Sequence, residues 1–134
     1  MVQMLVINGG LKGMKPGKMG RSETRNGSRC LCGCCLGAQC GHAVGMVMKK
    51  LMKRHPALLE NWEKCGTKKI CLKGTSREHL EGLSEQANHA GILVSPVFDA
   101  GKTQIAEGSL TVVAIGPAEA TALHPITGDL SLMP

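Results

Sequence analysis

Short apolar runs of strand length alternate along this chain with stretches of helical period, and that alternation restricts its fold more than any other feature. Val2 to Ile7 (VQMLVI) is the first run, ended by Asn8-Gly9-Gly10. Lys69 to Lys73 is the second and Ile92 to Val97 the third. The fourth, Leu110 to Ile115, is strongly β-branched and closes at Gly116-Pro117. Pro96 interrupts the third run and places it at a sheet edge, because proline has no N–H to give to a ladder. Between the first two runs, Gly37 to Arg54 turns periodic. Cys40, Ala43, Val44, Val47 and Leu51 fall at i, i+3, i+4, i+7 and i+11, one face of a helix. Lys49, Lys50, Lys53 and Arg54 fill its last turns, where cations suit the macrodipole. Pro56 stops that helix and opens another, Pro56 to Cys65, which ends at Gly66. Thr75 and Glu78 have capping-box spacing ahead of a helix from Ser76 to Ala90 that ends at Gly91. The tail holds a turn at Thr127-Gly128 and a last short apolar run.

The order is therefore β-α-α-β-α-β-β plus a tail. Helical crossovers join parallel strands, so the expectation is an α/β fold. Its form is a small three-layer sandwich, a four-stranded mixed sheet with helices on both faces, spanning 1–134 as one domain. Phe98 to Ser109 is a long connection for so small a domain, and such loops often carry function.

Composition excludes some classes. Trp62 and Phe98 are the only aromatic residues, so no platform for stacking successive bases can be built. Charge is uneven: residues 1–69 carry 13 Lys and Arg against 3 Glu, and residues 70–134 carry 3 against 7 acids. A basic half suits a polyanionic partner, nucleic acid first, although solvated surface charge is the simpler reading. No apolar run approaches the roughly 20 residues that span a bilayer, and no signal-like segment opens the chain, so no membrane partner is expected and the cytoplasm is the expected location. The seven Cys are an odd number, and we read them as reduced thiols.

Several motifs need weighing. Gly101-Lys102-Thr103 looks like the end of a phosphate-binding loop, but Pro96 stands where that pattern needs Gly and a strand follows instead of a helix. Cys30, Cys32, Cys34, Cys35 and Cys40, with His42, crowd into one short run without a second ligand pair, unless Cys65 and Cys71 supply it. Inert thiols are the simpler reading than zinc. His42 precedes Ala43 of the apolar helix face and reads as a structural histidine rather than a base. The five His form no recognisable nucleophile–base pattern. Asp99 is one of two aspartates and opens the long connection; a lone Asp there is usually a turn residue.

Several segments together resemble the peptidyl-tRNA hydrolases of the archaeal/eukaryotic (second) type. Residues 38–43 (AQCGHA) look like the start of that family's first long helix. Residues 98–117 (FDAGKTQIAEGSLTVVAIGP) are similar almost throughout to its site loop and following strand. Trp62 to Gly66 (WEKCG) and Thr127 to Leu130 (TGDL) also fit. The resemblance covers Val2 to Lys18 and Gly37 to Leu132. It implies a homodimer of α/β sandwiches with no metal or organic cofactor. It implies cleavage of the ester between a peptide and the 3′-terminal ribose of tRNA, with peptidyl-tRNA as partner.

Three catalytic groups follow from the resemblance: Asp99 and Thr103 of the D-A-G-x-T motif and a Lys of the N-terminal loop. An ungapped run from Leu11 puts that Lys at Lys15; a right-anchored alignment leaves Pro16 there, with Lys18 the nearest substitute. Lys18, Gln39, His42, Lys102 and Gln104 are the residues it implies for holding substrate. The residue types suit the chemistry. A carboxylate orients or deprotonates the attacking water, alone or with a hydroxyl. An ammonium stabilises the oxyanion or holds a phosphate.

The chain departs from the family twice. Where the first strand usually runs into Arg-x-Asp-Leu, this chain has Asn8, Gly9, Gly10 and Leu11. Deleting Gly20 to Leu36 joins Met19 to Gly37 into a family-like KMGAQCGHA, so residues 20–36 read as an atypical Cys-rich insertion. It is a surface loop, a metal or redox element, or translated intron sequence. Were it to spoil the site, a non-catalytic tRNA- or protein-binding module on the same fold would be the alternative.

Overall fold

The computed structural model describes residues 1–8, 33–98 and 110–133, with the backbone alone at 33–36. Four strands, β1 (Val2–Asn8), β2 (Lys69–Gly74), β3 (Val94–Phe98) and β4 (Leu110–Ala118), form one sheet in the order β2-β1-β4-β3. β1 pairs parallel with β2 and antiparallel with β4, and β3 pairs antiparallel with β4. The sheet is mixed, as the crossovers require, and β3 with Pro96 lies at its edge.

Helices cover both faces. α1 (Gly33–Arg54) and α2 (Pro56–Lys64) form the crossover from β1 to β2. Ala43, Val47 and Leu51 of α1 are wholly buried, and Cys40 and Val44 flank them, so the periodic stripe is the packed face. These side chains meet Leu5 and Ile7 of β1, Val112 and Ala114 of β4, and Trp62 of α2. The opposite face is packed by α3 (Arg77–His89) through Leu80, Leu83 and Ala87, and by α4 (Ala120–Thr127) through Leu123, against Val2, Val6, Leu72, Val113 and Ile115. β1 divides its side chains between the two cores by strict alternation, which only a central strand covered on both sides can do. Each large side chain so buried contributes about 1.5–3 kcal/mol.

Local signals explain most boundaries. Gly66, at φ +80°, ends the turn after α2. The Trp62 indole donates to the Lys68 carbonyl at 3.2 Å, and the Lys69 ammonium lies 4.9 Å from the ring centre, so one aromatic ties the exit of α2 to the start of β2.

Four expectations need correction. α1 begins at Gly33, four residues before the expected start at Gly37, so part of the Cys-rich segment is helical backbone. The cap of α3 is Ser76, whose Oγ accepts from the His79 N–H, and not Thr75; Thr75 instead meets His79 Nδ1 at 3.0 Å. β4 runs through Gly116-Pro117, which form a cis peptide, to Ala118. The tail contains α4 despite Pro125 inside it, and then returns to the sheet. The Lys73 N–H donates to Ser131 O and the Met133 N–H to Cys71 O, with Leu132 bridging Leu72.

Candidate functional site

The candidate site grows from one end of the sheet. β1 ends at Asn8, β3 ends at Phe98 and β4 begins at Leu110. β4 runs against both neighbours, so these three termini come together. The chain leaves Asn8 toward the segment holding Lys15 and Lys18. It leaves Phe98 toward the segment holding Asp99, Lys102, Thr103 and Gln104, and returns at Leu110. Those six residues lie outside the described ones; the ends of the segments that carry them do not.

Hydrogen bonds fix this corner. The Asn8 side chain is buried, and its Nδ2 donates to Leu110 O at 2.8 Å, joining the end of β1 to the start of β4. Asn8 stands where the resembling family carries Arg. Between Val97 and Phe98 the β3–β4 register shifts: Val97 pairs with Val112 and Phe98 with Leu110. Thr111 is therefore the extra residue of a bulge, and a bulge re-aims its side chain. The buried Thr111 hydroxyl donates to Val97 O at 3.1 Å and lies 3.4 Å from Gln39 Oε1. Sequence reasoning passed over Thr111 as one β-branched residue among several in a strand; only the register shift singles it out.

α1 supplies the other wall. Gln39 is 6% exposed and turned toward Thr111, so its polar end is held at this corner and not in water. His42, three residues on, is an adjacent position on the helix. It is exposed and hydrogen-bonds with none of the described residues, which overturns its reading as a satisfied structural histidine. Gln39 and His42 are the two expected substrate-holding residues within the described part, and they share one region of α1.

Cys40 and Cys71 behave as packing thiols. Cys40 and Cys71 pack against the same core, and burial first, then Cys71, pushes the Cys40 thiol up to about 11. A thiol so raised is a poor nucleophile. Cys65 is exposed, and the side chains of Cys30, Cys32, Cys34 and Cys35 lie outside the described residues. Among the described residues, no three His, Cys, Asp or Glu side chains gather as metal ligands would. No helix there is long and apolar enough to cross a membrane.

Residues 34–133 match the family described as peptidyl-tRNA hydrolase PTH2. The chain is 44% identical over 95 residues to the mitochondrial peptidyl-tRNA hydrolase 2 of Bos taurus, covering 71% of this chain and 53% of that one. It is 43% identical to the Homo sapiens protein of the same name over the same shares. With the peptidyl-tRNA hydrolase of Nanoarchaeum equitans it is 38% identical over 71% of this chain and 83% of that one. The chain spans about half the length of its mammalian relatives. The matched region holds α1, β3, β4 and the whole connection between those strands, and with it this chain belongs to the peptidyl-tRNA hydrolase PTH2 family.

Proposed function

We propose that this chain hydrolyses peptidyl-tRNA and N-blocked aminoacyl-tRNA, breaking the ester between the acyl group and the 3′-terminal ribose so that the tRNA can be used again. The observation that carries the reading is the convergence at one sheet end. The exit of β1, both ends of the β3–β4 connection and the Gln39–Thr111 contact meet there.

In this reading Asp99 accepts a proton from, or orients, the attacking water, with Thr103 beside it. Lys15 or Lys18 comes from the other loop and stabilises the oxyanion of the tetrahedral intermediate or a phosphate of the acceptor end. Gln39, His42, Lys102 and Gln104 hold the terminal nucleotides. The basic half of the chain, Lys49 to Arg54 included, follows the tRNA backbone.

The test is release of an N-blocked amino acid from tRNA by the purified chain, with EDTA present. Turnover that persists in chelator and falls at least a hundredfold in Asp99→Ala fits loss of general-base catalysis. Normal turnover in Asp99→Ala removes the central assignment.

The same reading includes a homodimer, checked by sedimentation, and a cytoplasmic location. The bovine and human relatives are named as mitochondrial, so fractionation decides the compartment. We further propose one domain over 1–134 with residues 20–36 inserted into it. In support, the family match starts at residue 34 and leaves out β1, although β1 lies inside the sheet. An interruption just before the match explains that. Sequencing the transcript separates a genuine loop from retained intron.

A further inference from the structure

A cavity of about 500 Å³ opens beside the β3 edge, at the opposite end of α1 from Gln39. Lys50 and Arg54 from the last turns of α1 and His55 from the α1–α2 junction form one wall. Asn88 of α3 and the segment 91–94 form the other. Three lining residues are basic and none is acidic. The Lys50 ammonium donates to Val94 O at 3.1 Å, which holds its stem across the cavity and leaves two N–H donors over. Arg54 and His55 are exposed, and neither meets a carboxylate among the described residues. The two ion pairs there, Lys64–Glu60 and Arg77–Glu81, lie elsewhere. A concave wall of cations without counter-charges concentrates anions. A guanidinium fork beside an ammonium suits a tetrahedral oxyanion with several acceptors.

Position selects the anion. Gln39 and Arg54 are fifteen residues apart on one helix, which at 1.5 Å per residue is about 22 Å. A substrate whose reacting ester lies at the Gln39 end must leave along the protein surface, and tRNA presents phosphates all along its backbone. We propose that this cavity seats a backbone phosphate of the tRNA. Arg54 and Lys50 hold its oxygens while His55 and Asn88 supply further donors, forming an anchor remote from the scissile ester. This inference rests on the hydrolase reading above.

The test compares the wild-type chain with Arg54→Gln/His55→Gln. Both residues are exposed, and an unchanged melting temperature confirms the fold. With full-length N-blocked aminoacyl-tRNA, KM rises roughly three- to tenfold with kcat unchanged, and the slope of log affinity against log salt for uncharged tRNA falls by about one. Hydrolysis of the same ester carried on the 3′-terminal trinucleotide alone stays at the wild-type rate, because that substrate does not reach the cavity. An unchanged KM and salt slope overturns the proposal. So does an equal loss on the trinucleotide, which would place these residues at the reacting end. Weakened binding of inorganic phosphate with tRNA untouched also overturns it, since the cavity would then serve a free anion. A wild-type chain inactive on both substrates, with the salt slope still reduced in the variant, would refute the hydrolase reading and leave the phosphate seat standing.

Discussion

Gly74→Ala is the most discriminating perturbation of the fold. Gly74 is the last residue of β2 and pairs with Asn8 at the end of β1. A Cβ there overlaps Leu80 Cδ1 and lies 3.1 Å from Ile7 O and 3.2 Å from Val6 Cγ1. Leu80 is wholly buried between Leu83, Ala87 and the sheet, so it has no free space to rotate into, and the Ile7 carbonyl belongs to the sheet backbone. Adding one methyl to a full core costs about 1–3 kcal/mol. For a chain of this length that is a fall in Tm of roughly 4 to 12 °C. The sign is the informative part, because alanine in place of strand glycine would by conformational entropy alone raise stability. Gly45→Ala is the internal control. Gly45 lies inside α1, is exposed, and its Cβ would meet nothing within 4 Å. There the helix gains about 1 kcal/mol and Tm rises by a few degrees. Thermal unfolding followed by far-ultraviolet circular dichroism measures both. Gly74→Ala melting at or above the wild type would refute the close-approach argument.

Three further outcomes follow from the burial or exposure of single groups. Gln3 is wholly buried in β1 with neither amide atom partnered among the described residues, so Gln3→Met, close in volume, raises the urea midpoint by the equivalent of about 1–2 kcal/mol; a lower midpoint would show that the amide is paired. The Cys40 thiol, pushed up to about 11 from an ordinary 9.0, favours the folded state fully below pH 9 and progressively loses that contribution as pH rises through 11. Stability should fall over that window in the wild type and fall less in Cys40→Ala. At neutral pH iodoacetamide should label exposed Cys65 well before Cys40.

Where one physical rule dominated, the sequence was readable. The 3.6-residue stripe of α1 buried the residues it marked, because a helix crossing a sheet offers one face. Pro96 identified an edge because a missing donor has only that place to go. Competition between near-equal local signals defeated the reading elsewhere. Thr75 and Ser76 both suit a cap, and one residue decided between them. The tail read only as a turn and a short apolar run, yet it holds α4, with Pro125 in the last turns and Leu123 and Thr127 buried. Of the candidate site, the resemblance named Gln39, but its contact with Thr111, 72 residues away along the chain, depends on a register shift between β3 and β4. No local pattern encodes that. Lys15, Lys18, Asp99, Lys102, Thr103 and Gln104 lie outside the described residues, so for them the sequence reading stands alone.

The return of the tail to β2 bears on solubility. An open four-stranded sheet offers two rows of unpaired peptide groups to any other extended chain. Pro96 blunts the row on β3, and Ser131 to Met133 occupy the row on β2 through two backbone hydrogen bonds. Loss of those few residues would remove little of the core, yet it would uncover Cys71 to Lys73 as a template for strand addition. Shortened forms of this protein would then fail by clumping before they fail by unfolding.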